Sequence, residues 1–68
     1  MGVNVWCVVN WHTRYNVAVF TNEESLKYWL SLRSRESLRD LIVWRFLADV
    51  PEVEPTMFDP DEILYKED

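Results

Sequence analysis

Residues 3–10, "VNVWCVVN", place Val3, Val5, Cys7 and Val9 on one side of an extended chain and Asn4, Trp6 and Val8 on the other. Side chains of a strand alternate with period two, and this stretch is rich in β-branched and aromatic residues, so it predicts a strand. "YNVAVF", residues 15–20, predicts a second, with Tyr15, Val17 and Val19 opposite in face to Ala18 and Phe20. The intervening "NWHTR" lacks the Asn-Gly or Asp-Gly pair of a two-residue turn. It therefore predicts an antiparallel hairpin with a longer loop.

The period then changes. In "TNEESLKYWLSL", Leu26, Trp29 and Leu30 follow i, i+3, i+4 spacing and form one apolar helical face. Thr21 stands three residues before Glu24, the spacing of a capping box, and Glu23 and Glu24 fall where the helix dipole favours negative charge. "RSRES" breaks the apolar pattern, and Ser34 or Ser37 is placed to cap a second helix, "LRDLIVWRFLAD". Residues 41–47 are apolar nearly all round and predict a buried helical half, with a third strand as the alternative for so short a β-branched run. Pro51 and Pro55 end either element. In "FDPDEILYKED", Asp59 suits an N-cap, Pro60 the first helical position, and Phe58 and Ile63 the positions of a hydrophobic staple. The expected fold class is α+β: a two-stranded antiparallel hairpin packed on two helices, residues 1–50, then an acidic spacer and short helical turn, residues 51–68.

Charge divides the chain in the same place. The net charge is −5, yet residues 49–68 hold eight acids against Lys66 alone, and the first 48 residues are slightly basic. Such asymmetry marks an interaction segment. The apolar residues set among those acids argue against a purely solubilising role. The expected partner-binding residues are Glu52, Glu54, Phe58, Asp59, Asp61, Glu62, Ile63 and Tyr65.

Size limits what else is available. At 68 residues the chain makes one small domain, 49% hydrophobic with four tryptophans. Scaffolds of this length have on the order of 3–5 kcal/mol of stability unless a disulfide, a metal or a partner adds to it. Cys7 is the only cysteine and His12 the only histidine, so neither an internal disulfide nor a His/Cys metal cluster is expected. The apolar run "LIVWRFLA" instead suggests a homodimer or an obligate partner.

Catalytic chemistry finds little support. Cys7 lies mid-strand among valines, where a thiol is a small hydrophobe, and His12 lies in a loop. Asp59 and Asp61 read as a capping turn, and "DPDE" lacks the spacing and turn glycine of an EF-hand. Gly2 is the one glycine, so no phosphate-cradling loop is expected. No enzyme activity and no cofactor are therefore expected. Arg33, Arg35, Arg39 and Arg45 cluster, but Glu36 and Asp40 interleave with them, and a net-acidic chain is disfavoured for direct contact with nucleic acid. The apolar N-terminal stretch lacks a basic leader and is too short to span a membrane, so a cytoplasmic protein without membrane contact is expected.

"VWCVVNWHTRYNVAVFTNEESLKYWLSL", residues 3 to about 32 with its flank, resembles the strand–loop–strand–capped-helix opening of small phage-encoded accessory proteins. The resemblance implies a host-directed or regulatory role in the host cytoplasm and assigns no functional residue. With the acidic end, the expectation is a non-enzymatic inhibitor or modulator that binds a host protein with a basic nucleic-acid-binding surface. It would act as a partial nucleic-acid mimic, as in anti-CRISPR, anti-restriction or polymerase-inhibitor roles. The alternative is an antitoxin-like regulator whose acidic C-terminal segment docks on a toxin.

Overall fold

A computed structural model describes residues 3–50 and 53–65. Strands β1 (Val3–Asn10) and β2 (Tyr15–Phe20) form the expected hairpin, followed by helices α1 (Glu23–Ser31) and α2 (Arg35–Arg39). Strand β3 (Leu41–Ala48), strand β4 (Thr56–Phe58) and helix α3 (Pro60–Leu64) complete the chain. The fold is α+β, but the sheet has four antiparallel strands in the order β2-β1-β3-β4. The expected two-stranded hairpin is thus only half of the sheet.

The second correction explains the first. Residues 41–47 are strand rather than helix, as the alternative reading had it. Ser34 does cap α2, accepting from the Ser37 amide, but the helix lasts only five residues. Beyond it, β1 offers an unpaired edge of eight residues, and β3 pairs along all of it, from Asn10↔Leu41 to Val3↔Ala48. Both faces of residues 41–47 are apolar, so periodicity alone did not separate helix from strand. The decision is made at the helix end. The last carbonyls of a helix lack intrahelical donors, and here the β1–β2 loop supplies them. The Trp11 indole N–H donates to the Arg39 carbonyl at 3.1 Å, and the Trp11 amide to the Asp40 carbonyl at 3.0 Å.

The loop that carries Trp11 is itself ordered by Asn10, whose side-chain oxygen accepts from the amides of His12 and Thr13. Arg14 then closes the turn in the left-handed region at φ 67°. At α1 the cap is Asn22, which accepts from the Ser25 amide, and not Thr21. The capping-box spacing was off by one residue because Asn and Thr stand side by side and both cap well. The Arg45 guanidinium, on β3, lies over the Phe58 ring of β4 at 5.2 Å.

Pairing assigns the two faces of the sheet, because directly opposed residues share a face. Phe20–Trp6–Arg45–Thr56 and Ala18–Val8–Val43–Phe58 are rows on the helix side. There Trp6, Val8, Val43 and Leu41 meet Leu26, Leu30, Leu38 and Ile63 in the buried core. On the other side the row Val19–Cys7–Trp44–Met57 crosses all four strands. Val5 opposite Phe46, Val9 opposite Ile42 and Val3 opposite Ala48 fill out that face. All three helices lie against the core side, so among the described residues no helix covers the second face. A bulge between Val8 and Val9 shifts the β1–β2 register, so that Val9 meets Asn16 and the simple alternation of Tyr15 and Val17 with Val19 is broken.

Candidate functional site

The short acidic helix α3 follows directly from β4, and its local sequence accounts for its form. Asp59 is the N-cap residue and Pro60 the first helical residue, whose missing N–H costs nothing at that position. The Glu62 amide donates to the Asp59 backbone carbonyl at 3.0 Å, and the Tyr65 amide to the Asp61 carbonyl at 2.9 Å. The Asp59 side chain makes no capping hydrogen bond, so its carboxylate is left to solvent. Asp61 and Glu62 occupy the first turn, near the positive end of the helix dipole.

Burial separates the eight residues expected to bind a partner. Ile63 is in the core at 6% exposure, together with Pro60, and Phe58 is half-buried against the same cluster. Asp59, Asp61, Glu62, Tyr65 and Glu54 are exposed. Glu52 lies outside the described residues. The apolar members among the acids are therefore divided: Ile63 and Phe58 hold the segment to the body, while Tyr65 stays outside.

Two open clefts flank Glu62. One, of about 340 Å³, is lined by Arg35, Arg39, Leu38, Asp59, Asp61 and Glu62. The other, of about 310 Å³, is lined by Trp6, Glu23, Arg45, Phe58, Glu62 and Ile63. Glu62 is the ridge between them. The fold thus adds Glu23, from the first turn of α1, to the acids of α3. It also sets Arg35 and Arg39 beside those acids, and Arg35 lies over the Tyr65 ring at 5.4 Å. Neither arginine is ion-paired to them: between described residues the Lys/Arg–carboxylate pair is Lys27–Glu23 at 3.8 Å. Among the described residues Asp59, Asp61 and Glu62 therefore have no salt-bridge partner, although basic side chains border them and Glu23 is paired with Lys27.

The residue-by-residue reading missed the cluster just beyond the end of β1. Trp11 and His12 stack with ring centroids 3.9 Å apart, and His12 Nε2 lies 2.9 Å from Asp40 Oδ1. His12 is thus partnered by an aspartate 28 positions along the chain and not by Cys7, which sits mid-strand on the uncovered face. The Trp-His pair in a hairpin loop was the available signal; its partner depended on where β3 began. Among the described residues no group of three or more His, Cys, Asp or Glu is placed to hold a metal ion, and no helix is long and apolar enough to cross a membrane.

These features define a two-layer α+β protein with an acidic rim on its helical side and a bare apolar sheet face on the other. No family model, curated protein or solved structure matches the chain.

Proposed function

We propose that this protein is a non-enzymatic inhibitor or modulator that engages a partner with a basic, nucleic-acid-binding surface through the acidic rim of α3 and the start of α1. The observation that carries this reading is the way the acids are held. Pro60 and Ile63 are buried, so Asp59, Asp61 and Glu62 project from a pinned turn. Fixed carboxylates lose less conformational entropy on binding than those of a loose tail. They can occupy the arginine and lysine positions that otherwise hold phosphates, and they raise the rate of encounter with a basic cleft. Glu23 extends the same surface. Tyr65, exposed at the rim, supplies an aromatic contact. A phage-encoded factor working in its host's cytoplasm suits such a surface.

The test compares the original chain with the triple variant Asp59→Asn, Asp61→Asn, Glu62→Gln. All three side chains are exposed, so the far-UV circular dichroism and unfolding midpoint should stay close to the original. Proteins captured from host lysate by the original chain should be released by added duplex DNA. They should be lost with the variant, with association slowed more than dissociation is hastened. Capture that survives both the DNA and the three substitutions would refute the proposal.

A further inference from the structure

The uncovered sheet face carries an interaction surface that the acidic rim does not account for. We propose that a second copy of this chain covers it, giving a face-to-face homodimer with the two sheets stacked and the helices outside.

Three observations support a second copy as the occupant. First, the face is apolar across its whole width: Val19, Cys7, Trp44 and Met57 form one continuous row, with Val5 and Phe46 beside it. Val19 is 58% exposed, Met57 55% and Phe46 40%. Apart from Asn16, no polar or charged residue pairs into it, so it offers nothing to orient a polar partner. An identical apolar face is a matching surface, and a two-fold axis through the centre of the sheet brings like patches together. Second, the area suits a small interface: strands of eight, six, eight and three residues, at ~3.3 Å per residue and about 4.8 Å apart, give a flat footprint on the order of 400 Å² before side-chain relief is counted. Two such faces together bury about 800 Å² or more, near the ~1,000 Å² at which specific interfaces begin, so the dimer is a weak one. Third, the helical acids are in the right place. Those of α1 and α3 lie on the helical side, so both sheets and the ~10 Å between them separate the two sets. That exceeds the ~8–10 Å screening length at physiological salt, so Glu23, Glu24, Asp61 and Glu62 do not oppose this geometry.

Sedimentation of the full chain from micromolar to millimolar concentration tests the proposal, alongside Val19→Lys and Met57→Lys. Both positions are more than half exposed, so a lysine there leaves the isolated fold intact, which circular dichroism checks. The original chain should sediment as a dimer, and each lysine should raise the dissociation constant by about thirtyfold or more. Alkylation of Cys7, at the middle of the face, should be slow in the dimer and speed up in both variants. A chain that is monomeric at every concentration would overturn the proposal. So would a dimer indifferent to both lysines, which would place the contact elsewhere, such as the free edge of β2.

Discussion

Individual side chains differ sharply in what they hold. Leu30 and Leu32 are two residues apart, yet Leu30 is fully buried and Leu32 is 62% exposed. Leu30 sits on the α1 face that meets Val8 and Val43, where a truncation leaves a cavity. Leu30→Ala should therefore cost about 2–5 kcal/mol, and Leu32→Ala less than ~0.5 kcal/mol. Since a domain of this size has only on the order of 3–5 kcal/mol in hand, urea titration should find the first variant largely unfolded and the second close to the original. Equal midpoints would mean that α1 does not present Leu30 to the sheet. The single substitution thus reads out which way the helix faces.

At the scale of elements, ends matter more than middles. Helix α1 begins at Asn22, whose side chain satisfies the Ser25 amide at 3.1 Å. Helix α2 ends where the β1–β2 loop receives its carbonyls through Trp11. Short helices depend on such partners, because a five- or nine-residue segment has little helical stability of its own. Asn22→Ala should lower stability by about 1 kcal/mol and Thr21→Ala by a few tenths at most. Thermal melts of the two variants would check this, and a larger loss at Thr21 would restore the capping box expected from spacing.

For the molecule as a whole, the C-terminal segment is part of the packing. Strand β4 pairs with β3, and Phe58, Pro60, Ile63 and Leu64 meet the body from below the sheet. Each buried apolar side chain of this kind contributes on the order of 1.5–3 kcal/mol. A chain ending at Val50 should accordingly lose its cooperative unfolding transition and its fixed near-UV signal. Full stability in that shortened chain would show residues 3–50 to be self-sufficient. The same segment therefore both completes the core and displays the acids.

Local signals in the sequence determined the β1–β2 hairpin, the apolar face of α1, the Ser34 cap and the acidic turn at Asp59–Pro60, because each depends on neighbours within a few residues. The candidate acids were legible for the same reason: they are consecutive in the chain. Tertiary structure alone decided that residues 41–47 are strand, since an apolar run with no clear period takes the form its partner offers, and β1 offered an edge. It decided that Ile63 faces inward while Asp59, Asp61 and Glu62 face outward, that Glu23 joins them, and that His12 meets Asp40. Those outcomes rest on contacts between residues far apart in sequence. Periodicity records which side chains share a face, and only packing determines which face is buried and which is left open.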